Sequence, residues 1–283
     1  MRTLVTTLCL LLSGVVQADE TIIDLLIEYQ RASGVPVSGL DQASLSKLYQ
    51  GEVIYRKVSV TETTDGEETT SLRVIGYRLI QQAREPLWLA ALAFDAGYSN
   101  RLTERLLETN ALGGGDWYQH LDMPWPLRDR HWLIRTEKNT TLAHNSTNRL
   151  WEHRWSLVPS ASSRVNDLFN EGEFAGISVK QAQKSVPLPL NNGAWVMGAA
   201  GPSRTLVMVH ATVDLGGIVP DSLVARQTRK NLTKMLGKIE QDADEAWVKY
   251  DSNYLIYRGD GSLIEPRPPE PGATEATLRQ TSP

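Results

Sequence analysis

A chain of 283 residues with 29 basic against 33 acidic side chains and one cysteine excludes several classes at once. A net charge of −4 with no basic segment argues against nucleic acid as the partner, and a single thiol excludes a disulfide framework or a cysteine-rich metal site. With 41% hydrophobic residues, and 8 Trp and 9 Tyr against 3 Phe, the chain is globular and its aromatic surface is weighted to rings with a polar edge.

Arg2, the apolar run Leu4 to Val16 and the small-residue step Val16-Gln17-Ala18 predict a secretory signal over residues 1–18, too short and too interrupted to span a bilayer. Cys9 lies inside it, so the exported chain of 265 residues (283 minus 18) is expected to lack thiols and to reside in the periplasm or outside the cell. Ile22, Leu25, Leu26 and Tyr29 then recur at helical spacing, and Leu40 to Tyr49 reads as a second short helix after the Gly34 and Pro36 breakers. On this reading residues 19–43 are a helical extension ahead of a main domain over 44–246. Val53 to Val60 and Leu72 to Ile80 predict a β-hairpin with Asp65-Gly66 at its tip.

Pro86 opens a helix whose apolar face, Leu87, Trp88, Ala91 and Leu92, runs to about Ala96 before Gly97. A further helix is expected over Arg101 to Thr109, followed by a turn at Gly113-Gly114-Gly115. Six strands follow: Trp117 to Met123, Arg130 to Glu137, Leu150 to Val158, Gly176 to Ser185, Ala194 to Ala199 and Thr205 to Val213. Successive strands of this kind imply an antiparallel, meandering sheet. Asp221 to Ala246 is a long amphipathic helix with Val224, Leu232, Met235, Leu236 and Ile239 on one stripe. Residues 247–283 read as an aromatic extension, Trp247, Tyr250, Tyr254 and Tyr257, and then a Pro-rich disordered tail.

Two short stretches carry the most information. Pro124-Trp125-Pro126-Leu127-Arg128-Asp129-Arg130 has prolines that end one strand and bend the chain rigidly into the next. Asp214-Leu215-Gly216-Gly217-Ile218-Val219-Pro220 has glycines that permit the positive φ needed to turn a strand back onto a helix, which Pro220 can start. Together with Gly193-x-Trp195 and Thr205, these stretches resemble the START family of lipid-transfer domains over roughly Ser44 to Ala246, with Val219 inserted in the second motif. The Arg-Asp-Arg order resembles the bacterial type.

The resemblance implies an α+β helix-grip fold, in which a curved antiparallel sheet wraps a long C-terminal helix and encloses an apolar cavity. It implies binding of a lipid or sterol-like molecule, possible carriage between membranes with transient membrane contact, and no catalytic residue, cofactor or metal. The expected gates are Glu137 to Asn148 and Leu215 to Pro220. Enzyme signatures are scarce: there is no G-x-S-x-G, H-E-x-x-H or P-loop, and His120, His131, His144, His153 and His210 show no metal-ligand spacing. An enzyme of the wider helix-grip superfamily, or a ligand-sensing or envelope-assembly protein, stands as the alternative.

The candidate ligand-binding residues each admit a plainer structural reading. Arg128 and Arg130 offer guanidinium forks to a headgroup, or an ion pair with Asp129 at the start of a strand. Glu152 and Arg154 share a strand face: inward they form a buried pair able to bind a hydroxyl, outward a solvated one. His210 and Met208 lie on one face of the last strand and Val207, Val209, Ala211 and Val213 on the other, with the cavity-lining face left open. Trp132, Trp195, Leu232 and Met235 complete the set as apolar lining. Arg226, Lys230, Lys234 and Lys238, at steps of four, read as a membrane-facing stripe or a solvated helix face.

Overall fold

Residues 21–33 form helix α1, and its predicted stripe of Ile22, Leu25, Leu26 and Tyr29 is buried throughout. A computed structural model describes residues 21–64, 67–92, 101–158, 161–170, 172–216, 219–249 and 255–265. Helix α2, Gln42–Tyr49, starts where the Asp41 carboxylate accepts the Ser44 N–H at 2.8 Å. Strands β1 (Ile54–Thr64) and β2 (Glu67–Ile80) pair as the expected hairpin, whose Asp65-Gly66 tip lies outside the described residues. Helix α3 spans Arg84–Leu92, and its expected stop at Gly97 is likewise outside them.

The predicted helix over Arg101 to Thr109 is instead strand β3, Leu102–Thr109, paired with β4, Gly115–Leu121. A register shift between Leu106 and Glu108 breaks the two-residue alternation, so Leu102, Leu106 and Leu107 mimic a helical stripe in the sequence. Strand β5 is Arg130–Lys138. The expected gate after it is no open loop, because Thr140–Asn145 forms helix α4 with Leu142 and Ala143 buried and Asn139 as its cap. Strand β6 (Leu150–Leu157) is followed by helix α5, Ala161–Asn170.

The strand expected over Gly176 to Ser185 is a second correction: Val179–Lys184 is helix α6. Its cause is a capping box, in which Ser178 Oγ accepts from Gln181 N at 3.3 Å and Gln181 Oε1 accepts from Ser178 N at 3.0 Å. Short β7 (Val186–Pro187) runs parallel to β5, and β8 (Leu190–Gly201) and β9 (Arg204–Asp214) complete the sheet. Helix α7, Asp221–Lys249, extends three residues past the expected end. Part of the expected tail is ordered, with β10 (Ile256–Tyr257) and β11 (Leu263–Ile264) forming a hairpin that buries Ile264.

The large sheet runs β1-β2-β9-β8-β6-β5-β4-β3, with every neighbouring pair on that path antiparallel. One face carries Val74, Trp195, Met197, Val207 and Val209 beneath α3 and α7, where Leu232, Met235, Leu236 and Ile239 enter the same core. Gly76 lets the helix sit close there, since a Cβ on it would stand 2.7 Å from Leu236 Cδ1 and displace that side chain. The other face, Ile75, Tyr77, Ala194, Val196, Leu206 and Met208, lies beneath α1 and α2. Burying four α1 side chains there contributes about 1.5–3 kcal/mol each. The N-terminal helices are thus a layer of the folded unit and not an extension ahead of it. Toward β4 and β5 the same face is covered by a cluster of Tyr118, Leu133, Val165, Phe169, Ile177 and Ala182, which brings in α5 and α6.

Candidate functional site

Alternation across β3, β4, β5 and β6 assembles a third apolar surface on the α7 side of the sheet. Trp132, Ile134 and Leu188 are buried at its centre, and Leu102, Trp117, Leu121, Trp155, Leu157, Val213 and Leu215 surround them only half-buried. Helix α7 packs chiefly on α3, β2 and β9, so this wall lies beside the helix and not beneath its main contacts. Gly193 makes room for it: a Cβ there would stand 2.4 Å from Trp155 Cζ2.

Polar edges sit within the wall. Trp132 Nε1 donates to Gln119 Oε1 at 2.7 Å, and Gln119 Nε2 donates to Glu104 Oε2 at 2.7 Å, a chain of bonds across β5, β4 and β3. Trp155 Nε1 donates to Asn191 Oδ1 at 3.0 Å. The Trp132 and Trp155 indole donors are therefore satisfied within the wall.

The two informative sequence stretches meet at one end of this wall. Arg130 Nε donates to Leu215 O at 2.5 Å, Nη2 to Gly216 O at 3.3 Å and Nη1 to Arg128 O at 2.6 Å. The guanidinium thus ties the start of β5 to the turn after β9, where Gly216 has the expected positive φ of 68°. Arg128 Nε donates to Lys184 O at 2.7 Å, and Asp129 Oδ1 accepts from Met123 N at 2.9 Å. Both guanidinium groups donate to backbone carbonyls and the Asp129 carboxylate accepts from the Met123 N–H, so backbone hydrogen bonds hold this corner. Between them Trp125 projects with 91% of its surface exposed.

The remaining expected residues divide among three places. Trp195, Leu232 and Met235 are buried together in the core between sheet and α7, next to the wall through Trp155. Glu152, Met208 and His210 face the opposite way, beneath α1, and so do not line the wall. Glu152 is buried without Arg154: it accepts from Tyr29 Oη at 2.5 Å and from Asn139 Nδ2 at 2.5 Å, whereas Arg154 is exposed and bonds Glu137 at 2.7 Å. Arg226, Lys230, Lys234 and Lys238 are all exposed, as a solvated helix face requires.

Trp117, Gln119, Leu121, Trp155 and Leu157 were not singled out as binding residues, although the period-two pattern Trp117-x-Gln119-x-Leu121 opposite Trp132-x-Ile134 was there to find. Near the other end, Lys138 is buried, its Nζ donating to Leu112 O at 2.5 Å, and burial pushes its amine down to about 8.

Three imidazoles are held neutral. Burial, aided by His120, lowers His131 to about 4; burial and Lys138 lower His153 to about 3; burial and Arg73 lower His210 to about 3. The unfolded chain regains histidines of ordinary basicity, near 6.5, and so binds more protons below that pH. Stability from these groups is fully present above about pH 6.5 and is lost as pH falls toward the folded values. A series of urea midpoints from pH 7.5 to 4 should fall, with unfolding taking up close to three protons near pH 5; a flat series between 7 and 5 would exclude this origin.

No family model matches the chain, and no curated protein matches it. Among solved structures it is similar to human STARD10, at 10% identity over 74% of this chain and 82% of that one, with a TM-score of 0.46. The STAR-related lipid transfer protein fragment from Xanthomonas axonopodis gives 13% identity over 66% and 98%, TM-score 0.44. Human StAR-related lipid transfer protein 5 gives 10% over 82% and 98%, TM-score 0.44. These are distant likenesses, and none assigns a ligand to this chain.

Proposed function

We propose that this protein binds an apolar small molecule of lipid or sterol-like class against the Trp117–Trp132–Trp155 wall, and carries it through an aqueous compartment. The observation that supports this most is the wall itself: seven half-buried apolar side chains around a buried centre, beside a helix that packs mainly elsewhere. A ligand covering that surface removes it from water together with its own. At about 0.8 kcal/mol per CH₂, a sixteen-carbon chain gains on the order of 13 kcal/mol at most, enough to hold a lipid that water rejects. Glu104 and Gln119 supply hydrogen-bonding groups for one polar end of such a molecule.

A periplasmic or secreted location, from the signal expected over residues 1–18, fits a carrier working between membranes. Trp125 suits transient membrane contact, because an exposed indole partitions to the headgroup region. Among the described residues no helix is long and apolar enough to cross a membrane.

The wall is tested by titration with cis-parinaric acid, a fluorescent fatty acid. Leu121 is half-buried, so Leu121→Asp should leave the fold intact while placing a carboxylate against the ligand. Affinity should fall by at least about tenfold. Equal binding by the wild type and this variant would remove the wall from the site.

A further inference from the structure

His120, at the end of β4 on the face opposite the wall, has no solvent-exposed side-chain surface. Its Nε2 lies 3.1 Å from Ser185 Oγ, and the Ser185 hydroxyl donates to Gln181 O at 2.8 Å. A hydroxyl has one proton, so toward His120 Ser185 is the acceptor and Nε2 carries the hydrogen. Nδ1 is the ring nitrogen that Ser185 does not engage. It has no hydrogen-bond partner and faces Asp122 Oδ1 at 3.3 Å. A positive centre between them, a proton or a bound cation, makes this contact favourable.

A second carboxylate approaches the same ring: Asp129 Oδ2 is 3.9 Å from Nε2. One ligand atom from each of His120, Asp122 and Asp129 lies within 4.8 Å of the other two. We propose that these three side chains bind a divalent transition-metal cation of the zinc class, with His120 Nδ1 as the nitrogen ligand. An imidazole with two carboxylates is a mixed nitrogen and oxygen set, which suits zinc-like ions better than calcium or magnesium. Two carboxylates also balance the charge of a divalent ion. With metal–ligand bonds near 2.0–2.1 Å a tetrahedral site separates its ligands by roughly 3.3 Å, the spacing Nδ1 and Asp122 Oδ1 already have, whereas Asp129, 3.9 Å from Nε2, has to move to join them. Ser185 is the outer partner that such a histidine needs, since it takes the other ring N–H and fixes the tautomer.

The site has a structural consequence. Asp122 and Asp129 stand at the two ends of the segment that carries Trp125, so one cation closes its base and fixes how Trp125 is presented. The site does not depend on what the wall binds.

The full-length, untagged protein, stripped with chelator, is titrated with zinc chloride alone at pH 7.5 by calorimetry. One saturable equivalent is expected, accompanied by a shift of the His120 Nδ1 nitrogen resonance. Asp122 is 60% exposed, so Asp122→Asn should fold with unchanged metal-free stability and bind at least about tenfold more weakly. The inference is overturned if no one-to-one uptake occurs, if Asp122→Asn takes up zinc equally well, or if the metal-free ring is protonated on both nitrogens at that pH and stays so on adding zinc.

Discussion

Trp88→Ala is expected to lower the unfolding free energy by about 3–5 kcal/mol, among the largest single losses available in this fold. Trp88 is fully buried and meets Trp151 edge-on at 5.4 Å and His153 at 6.3 Å. Its Nε1 donates to Tyr257 O at 3.0 Å, so the ring joins α3, β6 and the β10–β11 hairpin at one point. The same junction has Arg84 stacked 3.6 Å from the Trp151 ring centroid, and Arg258 bonded to Glu85 at 2.5 Å. Truncation leaves a large cavity and an unbonded carbonyl, and the hairpin over 255–265 loses its main anchor. Urea unfolding should show the loss, and hydrogen exchange should rise first in that hairpin. Trp88→Phe keeps most of the packing and should cost markedly less. A loss under about 1 kcal/mol for the alanine variant would mean that the core is not organised around this ring.

Tyr29→Phe, which removes one oxygen, should cost about 2–6 kcal/mol. The Tyr29 hydroxyl donates to Glu152 Oε1 at 2.5 Å, so His210 Nε2–H must be the donor in its 2.8 Å contact with the same oxygen. Burial first, and then Glu152, push the phenol well above its ordinary range, so it stays a donor at any working pH. Phenylalanine leaves a buried carboxylate short of one bond and a buried ring N–H without an acceptor, each costing about 1–3 kcal/mol. Because Tyr29 is the buried polar fastening of α1 to the sheet, beside the more exposed Glu28–Arg149 pair, exchange in residues 21–33 should rise more than in β8 and β9. Equal stability of wild type and variant by urea unfolding would show that the apolar stripe alone holds the helix.

The long periodic elements were legible: α1, the first hairpin, β5, β6, β8, β9 and α7 all follow from spacing that packing then enforces. β3 reads as a helix because a bulge disguises its alternation, and α6 reads as a strand because only its Ser178–Gln181 capping box marks so short a helix. The β10–β11 hairpin depends on Trp88 and Glu85, far away in sequence, and local polarity pointed the other way.

The site was only partly legible, for a physical reason. Sequence alternation reveals which residues share a face, but here both faces of the sheet are covered, one by α7 and one by α1. Apolar character therefore does not say which face of β9 belongs with the wall, and the sheet separates Glu152, Met208 and His210 from it. Arg130 was recognised as important, and its partners proved to be backbone carbonyls of the second motif, which composition alone does not reveal.

Native mass spectrometry of the protein purified without detergent tests the central claim most directly. The account predicts a complex one apolar molecule heavier than the bare chain, with that molecule recovered by solvent extraction and lost or diminished in Leu121→Asp. A bare chain that also takes up no fatty acid, sterol or phospholipid when each is supplied would contradict it.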